Sequence, residues 1–176
     1  PLLAHLDHLD VVEIDRDIVA HLRANYSPDV LTVHEGDALR FDFAALGENL
    51  RIVGNLPYNI STPLLFHLSD ATPHIRDMTF MLQKEVVDRM VAAPGNKDYG
   101  KLSVMLQVQF AMQRLFIVPP GAFRPPPKVD SAIVQLQPLG AAAPLIENAK
   151  IFAEIVSAGF NQRRKMLRQS FKPLLS

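Results

Sequence analysis

The stretch RIVGNLPYNISTPLLFHL, residues 51–68, decides the reading of the fold. Arg51-Ile52-Val53-Gly54 is a short strand-like run, and Thr62-Pro63 ahead of Leu64, Leu65 and Leu68 gives the N-cap and first turn of a helix. Asn55-Leu56-Pro57-Tyr58-Asn59-Ile60 is the loop between them. The same strand, polar turn, helix order recurs on either side. Val11-Val12-Glu13-Ile14 ends a strand, and Asp15 caps a helix carrying Ile18, Val19 and Leu22. Leu31–His34 is a second strand, closed by Glu35-Gly36-Asp37, and Met78–Leu82 is a fourth, followed by a helix near Glu85–Met90. Strands alternating with helices at this spacing predict an open parallel α/β sheet.

Beyond residue 100 the pattern changes. Leu102–Phe110 fits both strict alternation and a helical stripe, and periodicity does not decide between them. Leu115–Val118 and Ser131–Leu136 are β-rich runs around a loop stiffened by Pro125, Pro126 and Pro127. Residues 139–144 read as a hinge, followed by helices over about 145–158 and 161–172, the second capped by Asn161.

The 176 residues are 48% hydrophobic and 20% charged, enough for a sizeable core and unlike a disordered chain. The absence of cysteine excludes disulfides, thiolate metal sites and cysteine nucleophiles, and it fits a cytoplasmic location. No apolar run reaches about eighteen residues and no charged-then-apolar leader opens the chain, so neither membrane span nor signal peptide is expected. A chain opening on Pro1 reads as a fragment or a processed product. The net charge of zero conceals an asymmetry: residues 1–113 hold nine Lys+Arg against fifteen Asp+Glu, and residues 114–176 hold nine against three. The C-terminal third is thus either a solvated face or a surface for a polyanion.

Ligands of parallel sheets sit at the C-terminal strand ends. Glu13, Asp37 and Asn55 fall there. A carboxylate at Glu13 matches the vicinal hydroxyls of a nucleotide ribose, Ile14 offers a surface for adenine, and Asp37 can accept from an adenine amine. No Gly-x-Gly lies in residues 1–13, so a phosphate-type glycine loop is absent there. Asn55-Leu56-Pro57-Tyr58 carries the sharpest chemistry. An exocyclic adenine amine is a poor nucleophile because its lone pair is delocalised into the ring. The Asn55 amide oxygen and the Leu56 carbonyl can accept both amine hydrogens and localise that pair. Pro57 fixes the turn, and Tyr58 offers a stacking face. Phe123, ahead of the prolines, is a core residue or a second clamp on an extruded base. Arg163, Arg164, Lys165, Arg168 and Lys172 make a basic amphipathic helix suited to RNA phosphates. The six histidines show no metal-ligand spacing, and no metal is expected.

The segments VVEIDRD (11–17), GDAL (36–39), GNLPYNISTPLLFHL (54–68), MLQKEVVDRM (81–90), YGKLSVMLQ (99–107), FRPPPKVDSAIV (123–134) and FNQRRKMLRQS (160–170) closely resemble the bacterial small-subunit ribosomal RNA adenine N6-dimethyltransferases, in family order. The resemblance implies a class I S-adenosylmethionine-dependent, Rossmann-like fold over residues 1–140 and the start of a small all-α rRNA-binding domain over 141–176. It favours a helix at 102–110. It implies dimethylation of N6 of two adjacent adenosines near the 3′ end of 16S rRNA, in a pre-assembled 30S particle and with a role in subunit biogenesis. By position, Glu13, Ile14, Asp37, Ala38 and Asn55 form the cofactor set. Asn55, Leu56, Pro57, Tyr58 and Phe123 form the catalytic set, and the basic helix faces rRNA. The family's first central strand and glycine-rich loop have no counterpart here. That strand would lie mid-sheet between residues 11–14 and 51–54, so this chain is expected to be an inactive fragment; separately, a monomer is expected. The competing reading is a non-catalytic RNA-binding assembly factor on the same scaffold. The related large-subunit rRNA dimethyltransferases fit less well with YGKLSV and PPPKVDSAIV.

Overall fold

The computed structural model describes residues 1–161 and 166–171, in two compact units, Pro1–Leu46 and Gly47–Ser176. The first unit is a strand–helix–strand. Strand β1 (Leu9–Glu13) and β2 (Leu31–Glu35) pair in parallel, with Glu13 opposite Glu35, and helix α1 (Arg16–Asn25) connects them. Asp15 caps α1 as expected, its side chain accepting from the amides of Asp17 and Ile18. Near the other end, Arg23 donates to the Val33 carbonyl at 3.0 Å and pairs with Glu35, which fastens the helix to β2. Val19, Leu31 and Phe43 are the buried residues of this unit.

The second unit is built on a four-stranded sheet, order β3-β4-β6-β5, from β3 (Leu50–Asn55), β4 (Ile75–Gln83), β5 (Phe110–Val118) and β6 (Ser131–Pro138). Helix α2 (Ser61–Asp70) links β3 to a parallel β4, and α3 (Lys84–Val91) and α4 (Lys101–Gln107) lead from β4 to β5. β6 lies between β4 and β5 and runs antiparallel to both. The sheet is therefore mixed: β3 and β4 pair in parallel, as the alternation of strands and helices predicts, and β6 adds antiparallel pairing to β4 and β5. The cause is the connection: residues 119–130 hold one short 3-10 turn and no crossover helix, and parallel pairing needs such a crossover. Met78, Phe80 and Leu82 alternate onto one face of β4 and are fully buried, as are Ala132, Val134 and Leu136 of β6. Leu65 and Leu68 of α2, Val87 and Met90 of α3 and Leu106 of α4 complete this core.

The ambiguous segment resolves as helix α4 followed by a strand, with Phe110 the first residue of β5. Two helix starts differ from expectation. Helix α2 begins at Ser61, not at a Thr62 cap, and its N-cap Ile60 makes no side-chain bond. The Ser61 hydroxyl instead donates back to the Tyr58 carbonyl at 3.1 Å. Pro63 still sits in the first turn, where its missing N–H costs no helical bond. Helix α5 (Ala149–Asn161) starts later than residue 145, because Asn148 Oδ1 accepts from the Ile151 amide at 3.0 Å and sets the cap there. Asn161 is the last residue of α5, and the next helix among the described residues is α6 (Leu167–Ser170); the expected helix over 161–172 lies partly outside them.

Candidate functional site

In the first unit, the expected nucleotide residues meet at the C-terminal ends of β1 and β2. Glu13 Oε1 accepts from the amides of Ile14 at 2.8 Å and Asp15 at 2.9 Å, which fixes the carboxylate against its own turn. The Glu13 carbonyl accepts from the Gly36 amide at 2.9 Å, so the two strand ends are tied side by side. Asp37 then folds into a local turn: its Oδ1 accepts from the Leu39 amide at 2.9 Å and its carbonyl from the Arg40 amide. Ile14 is 67% exposed, an apolar side chain held in solvent beside these carboxylates, and Ala38 is half-buried. The carboxylate acceptors suit the hydroxyl and amine hydrogens of an adenosine. Glu13 Oε2 makes no hydrogen bond within the described residues and is left for such a partner.

In the second unit, Asn55 is the last residue of β3, in register with Met81. The ladder reaches one residue further, with the Leu56 amide donating to the Met81 carbonyl at 3.2 Å. The Leu56 side chain turns inward and is buried. Gly54 makes room for it, since a Cβ there would stand 2.9 Å from Leu56 Cδ2 and 3.4 Å from Phe80 Cδ1. Past Leu56 the chain turns: the Pro57 carbonyl accepts from the Ile60 amide at 3.2 Å, and Ser61 holds the Tyr58 carbonyl. The result is a rigid turn that presents polar groups outward. Asn55 is exposed and its side-chain amide makes no hydrogen bond within the described residues; no described backbone amide donates to the Leu56 carbonyl.

Tyr58 is 43% exposed, and its hydroxyl lies 3.3 Å from Ser131 Oγ at the start of β6. That contact places the ring where the proline-rich loop returns to the sheet. The same end of the loop is held by the Lys84 amide, which donates to the Asp130 carbonyl at 2.9 Å. Phe123 follows the 3-10 turn Pro120–Ala122 and is half-buried; its ring makes no contact with that of Tyr58. Of the expected RNA-binding residues, Arg168 is exposed on α6, and Arg163, Arg164, Lys165 and Lys172 lie outside the described residues.

Sequence reading missed two features. The first is the role of Asp88 on α3. Its carboxylate binds Lys84 on its own helix and also Arg114 on β5, 26 residues away. Burial pushes that carboxyl up, but Lys84 and Arg114 outweigh it and hold Asp88 below the usual carboxylate range. The Lys84–Asp88 spacing was a signal for half of this bridge; the Arg114 half had none. The second is a cleft of about 590 Å³ with Arg89, Lys97 and Lys101 on its walls. Among the described residues no three His, Asp or Glu side chains converge as a metal site, and no helix is long and apolar enough to cross a membrane.

A family profile described as "Ribosomal RNA adenine dimethylase" matches residues 1–176. The "Ribosomal RNA small subunit methyltransferase A" of Nitrosospira multiformis is 66% identical, with 100% of this chain and 68% of that protein covered. The protein of that name in Aromatoleum aromaticum is 62% identical, with 99% and 66% covered. The chain thus spans about two thirds of the length of these curated relatives. Among solved structures, a dimethyladenosine transferase from Plasmodium falciparum aligns at a TM-score of 0.80 and 30% identity, covering 97% of this chain and 62% of that one. The 23S rRNA methyltransferase ErmE aligns at a TM-score of 0.72 and 27% identity, covering 97% and 68%.

Proposed function

The chain belongs to the ribosomal RNA adenine dimethylase family, and from that premise we propose that it serves S-adenosylmethionine-dependent dimethylation of N6 of two adjacent adenosines near the 3′ end of small-subunit rRNA. The observation that carries this reading is the Asn55–Tyr58 turn. Two carbonyl-type acceptors without described donors stand at a strand end, on a backbone pinned by buried Leu56 and by Ser61.

Glu13, Ile14, Asp37 and Ala38 would hold the adenosine end of the cofactor, whose sulfonium methyl supplies the electrophile. Asn55 Oδ1 and the Leu56 carbonyl accept the two hydrogens of N6. This draws the nitrogen toward tetrahedral geometry and returns its lone pair from the ring. Tyr58 and Phe123 supply faces for the extruded base; stacking of roughly 1–3 kcal/mol per base offsets the few kcal/mol that flipping costs. Positioning contributes up to ~7–11 kcal/mol to the barrier reduction, and each well-placed acceptor roughly 3 kcal/mol. These residues need no metal and form no covalent intermediate. Residues 141–176 would begin the helical domain, with Arg163, Arg164, Lys165, Arg168 and Lys172 toward rRNA phosphates. The substrate is a pre-assembled 30S particle in the cytoplasm, and the enzyme acts as a monomer in subunit biogenesis.

The test is labelled methyl transfer from S-adenosylmethionine to unmethylated small subunits by the protein in its full-length form, with product nucleosides identified. Dimethyladenosine in the 3′-terminal region of small-subunit rRNA is the expected product. RNA binding with a steep salt dependence but no methyl transfer would replace this reading with that of an assembly factor.

A further inference from the structure

Tyr58 and Ser131 meet across a strand that separates them, since β3 and β6 lie on opposite sides of β4. Asn55 stands opposite Met81 on one side of β4, and Ser131 opposite Gln83 on the other. The chain leaving β3 therefore crosses the end of β4 to bring the Tyr58 hydroxyl within 3.3 Å of Ser131 Oγ. The two ends of this contact differ. Ser131 is 2% exposed, is in register with Val118 of β5 as well as with Gln83, and precedes the fully buried Ala132. Tyr58 is exposed, and this is the one hydrogen bond of its side chain among the described residues. The hydroxyl lies on the ring axis, so bonding it to a fixed point in the sheet selects one χ1 rotamer and leaves the faces open. An unheld ring would have to be ordered as a base arrived, which costs affinity; a ring held beforehand does not. The fold itself loses little without Ser131 Oγ, because water can still reach the phenol of an exposed tyrosine.

We propose that Ser131 is a positioning residue of the methyl-transfer site, holding the Tyr58 ring through its hydroxyl so that the stacking face is set before the target base enters. The inference rests on the reading of Tyr58 as a surface for an extruded adenine. Ser131 acts through Tyr58 alone. It is also the first residue of β6, where the loop carrying Phe123 rejoins the sheet and the Lys84 amide holds the Asp130 carbonyl at 2.9 Å. One anchor thus ties the Tyr58 ring to the root of that loop.

The measurement is kcat/KM for methyl transfer to unmethylated small subunits by the full-length protein, taken per folded molecule from urea unfolding of each variant. Ser131→Ala should lower it about two- to fivefold, the lower part of the range for ordering one side chain, since tyrosine has only two χ angles. That loss is small beside the factor of about 10²–10³ expected at Asn55, so the chemistry is largely kept. Tyr58→Phe breaks the same bond without altering Ser131 and should show the same small loss. Ser131→Ala should then cost nothing more in the Tyr58→Phe background, and Ser131→Thr, which keeps the hydroxyl, should restore the parent value. The ring is read separately in the RNA-free protein, from NMR three-bond couplings that report χ1 of Tyr58. One rotamer is expected in the parent and rotamer averaging in Ser131→Ala. Parent-like kcat/KM in Ser131→Ala, or a ring equally ordered in both, overturns the positioning role and leaves the proposed function standing. So does a Ser131→Ala loss that persists undiminished in the Tyr58→Phe background, because the serine would then act by another route. A folded Ser131→Thr no better than Ser131→Ala would assign the effect to packing and overturn it as well. No methyl transfer by the parent overturns both readings.

Discussion

Asn55 and Tyr58 stand three residues apart on one turn, yet their surroundings give them different sensitivities. Asn55 has no described partner, so replacing it removes no bond from the fold. On its proposed role it acts only when the amine rehybridises, which means in the transition state. Asn55→Ala should therefore lower turnover by about 10²–10³ while RNA affinity stays nearly constant, read from single-turnover methylation beside a binding isotherm. Equal losses in both would remove the assigned role. Tyr58 is tied to the fold as well, through Ser131 Oγ at 3.3 Å. Tyr58→Phe keeps the ring and gives up that bond, at about 0.5–1.5 kcal/mol of stability in urea unfolding with methyl transfer largely kept. Tyr58→Ala also loses the stacking face and should weaken engagement of the target adenosine by roughly 1–3 kcal/mol. A phenylalanine variant as inactive as the alanine one would shift the role from the ring to the hydroxyl.

At the scale of elements, what was legible in the sequence was whatever is decided within a few residues. Asp15 as the cap of α1 and the polar turn between β3 and α2 depend on local bonds and stand as read, although β3 runs one residue further, to Asn55, and α2 starts at Ser61. The insertion of β6 between β4 and β5 depends on a long connection without a helix, and periodicity carries no trace of it. The Tyr58–Ser131 contact spans 73 residues and was likewise invisible. The Asp88 bridge is of the same kind, fastening α3 to β5 through Arg114. Because Asp88 titrates below its ordinary range in the folded chain, the bridge stabilises at pH values above the unfolded carboxylate's pKa. That contribution disappears as pH falls through the lowered folded value. Asp88→Asn should accordingly cost about 1 kcal/mol at pH 7, with the gap to the parent closing at the acid end of the titration. Urea unfolding at several pH values checks this, and a gap independent of pH would show that the amide had lost packing rather than charge.

For the molecule as a whole, a formal charge of zero says little about a polyanionic partner, because the charge is unevenly distributed. Residues 1–113 carry a net of −6 and residues 114–176 a net of +6. The C-terminal excess includes Arg163, Arg164 and Lys165, three consecutive cations in sequence. Long-range attraction of RNA to a neutral chain nearly cancels, whereas each phosphate in contact with a cation still releases its counterions. Affinity should therefore fall steeply with salt although net charge is zero. If the run at 163–165 contacts phosphates, Arg163→Gln/Arg164→Gln/Lys165→Gln lowers the single-strand salt slope by about 2. Neutralising three acidic positions of the first unit outside the proposed nucleotide set, Asp7, Asp29 and Asp42, raises the net charge by the same three units in the opposite sense. On a contact mechanism that second variant leaves the slope where it was. Equal and opposite slope changes in the two variants would instead mean that RNA responds to overall charge, and the assignment of a basic face to the C-terminal third would fall.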